Sequence, residues 1–247
     1  MKRLLLGCAL LALCASSAFA GGVNISWGDA CWSDPAHANL QQFACNTNTG
    51  CALMTCSFSP HYDQPEWVGV EVHLDGQSDD SALPYWWLMA PGECRASALT
   101  VSNDFASAPK IGCTDPWTGR VTAGGLVYYQ DGTSAGGWNL AKMMVVYLVD
   151  VETPVSLSAG TEYYACQVRI SYVHTAGRNI VSGCDRPMAW TLALVRSCPV
   201  YGCDDLTEPL PGGNQCLNWQ NSELPWCRAY VVPARNQTWG EIKSLYR

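Results

Sequence analysis

The sequence predicts an all-β chain, an antiparallel β-sandwich held together by disulfides. Three observations predict it. Apolar and polar residues alternate with period two over several separate runs. Turn-forming clusters punctuate those runs: Asp75-Gly76, Pro91-Gly92, Asp131-Gly132, Gly136-Gly137, Ala159-Gly160 and Pro211-Gly212-Gly213. Cysteines recur along the whole length. Spacing of this kind favours two packed sheets over alternating β and α units.

In chain order, residues 1–20 read as a signal peptide. Lys2 and Arg3 supply the positive start, Leu4 to Cys14 the apolar stretch, and Ala18-Phe19-Ala20 the small-x-small cleavage site, so the mature chain begins at Gly21. The stretch is too short to span a bilayer, and nothing later approaches the ~20 apolar residues a span needs. The sandwich domain is expected over 21–220. Val68, Val70, Val72 and Leu74 alternate with Gly69, Glu71, His73 and Asp75, as in a half-buried strand. Val121 to Gln130, Met143 to Val149 and Trp190 to Val195 are further strands, the second apolar on both faces and hence central. Tyr164, Cys166, Val168, Ile170 and Tyr172 line one face of another. Tyr164, two residues before Cys166 and just past a turn, is similar to the tyrosine corner of immunoglobulin-like domains, so the sandwich is expected to be immunoglobulin-like or jelly-roll-like. The segment 197–220 reads as a disulfide-rich loop. The extension 221–247 ends in a short C-terminal helix, with Trp239, Ile242 and Leu245 on one face, Thr238 as cap and Glu241 at the third position.

Composition narrows the setting. The net charge of −7 becomes about −9 once Lys2 and Arg3 are removed, which disfavours nucleic acid and anionic membranes as partners. Charged residues make up only 14%, so Ser, Thr, Asn, Gln and Gly must supply the polar surface. Of fourteen cysteines, Cys8 and Cys14 lie in the leader. The even set left is Cys31, Cys45, Cys51, Cys56, Cys94, Cys113, Cys166, Cys184, Cys198, Cys203, Cys216 and Cys227. We expect all of these in disulfides, with connectivity open, and a secreted or extracytoplasmic location: periplasm, cell surface or extracellular space. Cys51-x4-Cys56 and Cys198-x4-Cys203 have the spacing of zinc-ligand pairs, but thiolate ligands require a reducing compartment.

Candidate chemistry is sparse. Glu71, His73 and Asp75 share one strand face about 6–7 Å apart, an arrangement open to acid–base or metal chemistry but equally to a solvated strand face. Asp79-Asp80 and Asp204-Asp205 are carboxylate pairs of the type calcium uses, without the D-x-D-x-D-G loop; no cofactor and no metal site is otherwise expected. Gly132-Thr133-Ser134-Ala135-Gly136 has the form of a nucleophile elbow, with Asp150 and His174 following, but the residues after Gly137 read as a strand rather than a helix. Tyr85-Trp86-Trp87 is the candidate binding site, since aromatic rings stack on sugar faces. In a strand Trp86 and Trp87 would point opposite ways.

Five segments carry a resemblance: Phe43-Ala44-Cys45-Asn46-Thr47-Asn48-Thr49-Gly50, Tyr85-Trp86-Trp87, Ala159-Gly160-Thr161-Glu162-Tyr163-Tyr164, Cys216-Leu217-Asn218-Trp219-Gln220, and Trp239-Gly240-Glu241-Ile242-Lys243-Ser244-Leu245-Tyr246-Arg247. The chain resembles a set of exported bacterial β-rich proteins to which no activity attaches. The resemblance implies a bacterial origin and no transferable catalytic residue. It also leaves the partner of Cys184 open, because the further cysteine usual after Gly-Cys-x-x-Pro is replaced here by Met188-Ala189.

The functional expectation is a non-enzymatic extracellular or cell-surface binding or structural module, with glycans or cell-surface components as partners. The alternative is a secreted hydrolase acting on polysaccharide. The segment Trp239 to Arg247 is a further candidate, as a sorting or docking tag.

Overall fold

The computed structural model describes residues 21–106, 112–211 and 213–228. The expected leader and the helix expected near Trp239 lie outside these residues. The chain is 46% strand and 6% helical, so the all-β expectation holds.

The strands are β1 (Gly22–Trp27), β2 (Leu40–Gln41), β3 (Cys51–Ser59), β4 (Gln64–Ser78), β5 (Leu99–Ser102), β6 (Thr122–Asp131), β7 (Leu140–Val149), β8 (Val155–Leu157), β9 (Tyr163–Ser171), β10 (Met188–Pro199), β11 (Asp204–Leu206) and β12 (Cys216–Trp219). They form two sheets. The smaller has the order β1-β3-β9-β5 and is antiparallel throughout. The larger has the order β2-β12-β10-β4-β7-β6, with β11 alongside β10 and β8 alongside β4. Its pairs are antiparallel except β12 with β2, which is parallel.

Side-chain alternation explains how the sheets meet. On β4, Val70, Val72 and Leu74 are buried while Glu71, His73 and Asp75 turn outward. Val23, Ile25, Met54, Phe58, Val168 and Ile170 from the small sheet join Trp67, Val72, Leu74, Val145, Trp190 and Leu192 from the large sheet in one continuous core. Burying a side chain of this size contributes about 1.5–3 kcal/mol, and that core supplies the platform on which every loop is mounted.

Several expectations change. The segment 197–220 is not loop alone: it holds the end of β10, then β11 and β12. These strands are too short to show a period, and each is fixed by pairing with β10 rather than by its own pattern. The tyrosine-corner contact belongs to the neighbouring residue. Tyr163 Oη accepts the Ser158 N–H at 2.8 Å, five residues upstream, whereas Tyr164 Oη donates to the distant Ser102 carbonyl at 2.9 Å.

The cysteine expectation holds in part. Disulfides join Cys31 to Cys113, Cys45 to Cys184, Cys198 to Cys203 and Cys216 to Cys227. The partner of Cys184 is therefore Cys45. Cys51, Cys56, Cys94 and Cys166 stand as free thiols in this structure. Cys51 faces Ser171 across the ladder, and Cys94 lies exposed ahead of the 3-10 turn Ala96–Ala98. Cys56 faces Cys166. Four disulfide pairs fit an extracytoplasmic location, and among the described residues no helix is long and apolar enough to cross a membrane.

Candidate functional site

The large sheet ends where β4 finishes, β7 begins and β10 begins. Three loops leave from this end, and backbone geometry ties them together. Ser78 N–H donates to the Asn139 carbonyl at 2.9 Å, Leu83 N–H to the Trp138 carbonyl at 2.7 Å, and Trp86 N–H to the Ser182 carbonyl at 2.9 Å. The Ser78 hydroxyl donates to the Pro187 carbonyl at 3.2 Å. The Cys45–Cys184 disulfide anchors the third loop to the N-terminal half of the chain.

Tyr85-Trp86-Trp87 sits in this cluster as a 3-10 turn, not a strand. Successive side chains in such a turn are about 120° apart. Two of the three therefore face inward, and the expectation that Trp86 or Trp87 joins a surface platform is wrong: both are fully buried. Trp86 stacks on Trp219 with centroids 5.2 Å apart, and Trp87 packs against Trp190 at 5.8 Å. The Trp86 indole N–H donates to Thr175 Oγ1 at 2.9 Å, which satisfies its polar atom in the core.

Arg95 locks the turn in place. Its side chain is fully buried, with the guanidinium carbon 3.6 Å from the Trp86 ring centroid. It donates to the carbonyls of Trp86 and Ser171. Burial pulls the guanidinium down to about 10, still well above neutrality, so the group remains a cation. Its Nε has no hydrogen-bond partner. A buried arginine held by carbonyls and a ring face rather than by a carboxylate has no sequence signature, and it was not foreseen.

What remains outside is Tyr85, 66% exposed, and Trp138, 71% exposed. Leu83 and the backbone bond to Trp138 join the two loops that carry them. The other tryptophans with described side chains are buried, apart from the half-buried Trp32. The sequence carries no signal for Trp138: a lone tryptophan after Gly136-Gly137 reads the same whether it is buried or exposed. Nearby, Arg186 forks onto Asp80, with Nε 2.7 Å from Oδ2, and holds that carboxyl below its usual range. Asp79 instead accepts from the Ser222 hydroxyl and the Glu223 N–H. The two carboxylates thus face different partners, and Asp204 and Asp205 divide in the same way between His61 and Arg196. Neither pair converges on one point, as a calcium site requires.

The row Glu71, His73 and Asp75 lies on the outer face of the large sheet. Its neighbours in register are Arg196, Leu194 and Thr191 on β10 and Val146, Met144 and Lys142 on β7. His73 Nε2 is 2.5 Å from Glu71 Oε1, and Arg196 reaches Glu71 at 3.5 Å while gripping Asp205 at 2.7 and 3.1 Å. This is a mutually satisfied ion network. Glu71 and Asp75 stand four residues apart on one strand, about 13 Å, beyond the ~5–9.5 Å at which paired carboxylates cleave glycosides. Asp75 instead borders a 310 Å3 depression with Gly76, Gln77, Leu140, Ala141, Lys142 and Thr191.

The elbow-like segment is the β6–β7 hairpin loop. Asp131 and Ser134 form a capping box there, and the Ser134 hydroxyl donates to the Asp131 carbonyl at 2.7 Å. Ser134 precedes β7 and Asp150 follows it, which sets them on the order of 30 Å apart. Cys51 and Cys56, five apart on β3, project to opposite faces and cannot share a metal. Among the described residues no cluster of three or more His, Cys, Asp or Glu side chains is placed to hold one.

No protein-family model, curated protein or solved structure matches the chain.

Proposed function

We propose that the chain acts outside the cytoplasm as a binding module, and that it presents the Tyr85–Trp138 loop end to a carbohydrate polymer or cell-surface glycan. The two sheets, sharing one core, are read as the leaves of a sandwich, and the resemblance to exported bacterial proteins points the same way. The observation that carries the proposal is the exposure of Tyr85 and Trp138 on loops that hydrogen bonds and a disulfide hold fixed. A large ring left in water forgoes the free energy that its burial would contribute. With the backbone already held, binding has only side-chain rotation left to freeze, and the ring faces suit the axial C–H groups of sugars. The Arg186–Asp80 fork, which joins two of the three tied loops, adds charged hydrogen-bonding groups to the same loop cluster.

The test is retention of the mature protein on insoluble chitin, cellulose and peptidoglycan, with titration of soluble oligosaccharides followed by tryptophan fluorescence. Trp138→Ala is expected to weaken binding at least tenfold and Tyr85→Ala somewhat less, with unchanged Tm. Failure of the wild type to bind any of these polymers, or undiminished binding by Trp138→Ala, would overturn the proposal. The polysaccharide-hydrolase reading has no comparable support, since its candidates Glu71, His73 and Asp75 are bound up in an open-faced ion network or spaced too widely.

A further inference from the structure

Cys56 on β3 and Cys166 on β9 are register partners in the middle of the small sheet. Both are fully buried. Directly opposed residues of an antiparallel pair have Cα atoms about 4.5–5.5 Å apart, inside the ~4.4–6.8 Å range that a disulfide spans. The register shifts directly after this pair, because Ala165 is an extra residue on β9, so the two cysteines sit at the edge of a bulge where the ladder is locally free to adjust. Cys56 and Cys166 also differ from the other two unbonded cysteines. Cys51 faces a serine, and Cys94 stands exposed in a loop.

We infer that Cys56 and Cys166 are joined to each other by a fifth disulfide in the exported protein, and that this bond forms before the two sheets close. The inference rests on the oxidising setting that the other four disulfides fit, and not on the glycan-binding proposal.

The timing follows from chemistry. In the folded chain the hydrogen bond to Cys166, and then burial, hold the Cys56 thiol well above its ordinary range. The thiolate is the nucleophile in exchange, so a packed, protonated pair is closed to oxidants in solution. Oxidation therefore belongs to the stage when β3 and β9 have paired but their inner face is still wet. The Cys56 thiol loses a proton and its sulfur attacks a disulfide-bearing oxidant, a thiol–disulfide oxidoreductase or a small-molecule disulfide. One oxidant thiolate leaves and a mixed disulfide remains. The deprotonated Cys166 sulfur then attacks the Cys56 sulfur, forming the Cys56–Cys166 bond and releasing the second thiolate. The oxidant takes up the electron pair and the two protons as its dithiol. Once the sheets meet, the bond is sealed from reductants just as the thiols would have been sealed from oxidants.

The experiment uses mature protein isolated from the periplasm of an expression host, unfolded in guanidinium without reductant and blocked with iodoacetamide. Chymotrypsin cuts after Leu53, Phe58 and Tyr164, which places Cys51, Cys56 and Cys166 on separate peptides. The expected result is a linked Cys56–Cys166 peptide pair that reduction splits, together with its persistence when the folded protein is held in dithiothreitol. Carbamidomethyl groups on both Cys56 and Cys166, or linkage of either to Cys51 or Cys94, would overturn the inference. As a second measurement, the Cys56→Ala/Cys166→Ala variant should melt roughly 5–15 °C lower than the wild type, as loss of a bond closing a loop of about 110 residues predicts; an unchanged Tm would count equally against it. Neither readout involves a glycan, so failure here leaves the binding proposal standing, and the reverse also holds.

Discussion

At the scale of single residues, Arg95 does most to shape the candidate site. Its guanidinium joins the Trp86 carbonyl to the Ser171 carbonyl and sits over the Trp86 ring, so it fixes the turn from which Tyr85 projects. Replacing it with a neutral side chain of similar length removes a costly buried charge but strands the buried Trp86 carbonyl and the part-buried Ser171 carbonyl. Each unsatisfied acceptor costs about 1–3 kcal/mol, and loss of the ring contact adds to that. Arg95→Met is therefore expected to destabilise the protein by about 2–4 kcal/mol in urea unfolding, and to loosen the loop enough to weaken glycan retention. A Met variant as stable as the wild type would show that relief of the buried charge outweighs the lost hydrogen bonds. The same residue shows why part of the site was illegible in the sequence. Arg95 follows Cys94 in a stretch without period, and the ring it covers is nine residues away in sequence. Trp138 was equally hidden, since a lone tryptophan after two glycines looks the same whether it points into the core or away from it.

At the scale of elements, the alternating strands were legible because alternation is imposed by burial itself. The row Val70, Val72 and Leu74 had to face inward once the residues between them were Glu71 and His73. Elements fixed by their neighbours were not legible. Tyr85–Trp87 is a turn because Trp86 N–H finds the Ser182 carbonyl, and β12 is a strand because β10 offers it an edge. The strand β6 shows the opposite dependence, in which one residue governs an element. Gly124 has φ +136°, and a Cβ there would lie 2.0 Å from the Val146 carbonyl oxygen of β7. No L side chain fits both that dihedral and that approach. Gly124→Ala should accordingly pull β6 off β7 and cost at least about 1–3 kcal/mol, with amide exchange accelerating along β6 while β4 stays protected. Uniform exchange across both strands, or no change in stability, would mean that the bulge after Leu126 absorbs the clash.

At the scale of the whole molecule, the disulfides divide by the loops they close. Cys198–Cys203 spans 5 residues and Cys216–Cys227 spans 11, so they tidy local turns. Cys45–Cys184 spans 139 and ties the loop cluster to the N-terminal half. Loop-closure entropy assigns it about 5 kcal/mol against about 2 for the shortest bond. Cys45→Ala/Cys184→Ala is expected to lower Tm by more than Cys198→Ala/Cys203→Ala, as scanning calorimetry would show, and the reverse order would mean that the reduced chain already holds the long loop closed. The even count of cysteines was legible from the sequence, but the pairing was not, because it depends on which strands lie side by side. One consequence of the topology concerns time rather than energy. The parallel pairing of β2 with β12, the Ile25 N–H donated to the Asn214 carbonyl, and the Trp27 indole bonded to the Asn218 carbonyl all join early described residues to nearly the last described ones. A ribosome delivers residue 25 long before residue 214. The opening strand must wait, unpartnered on that side, until almost the entire chain has appeared, so this fold closes late, and the export proposed above would meet a chain that is still threadable.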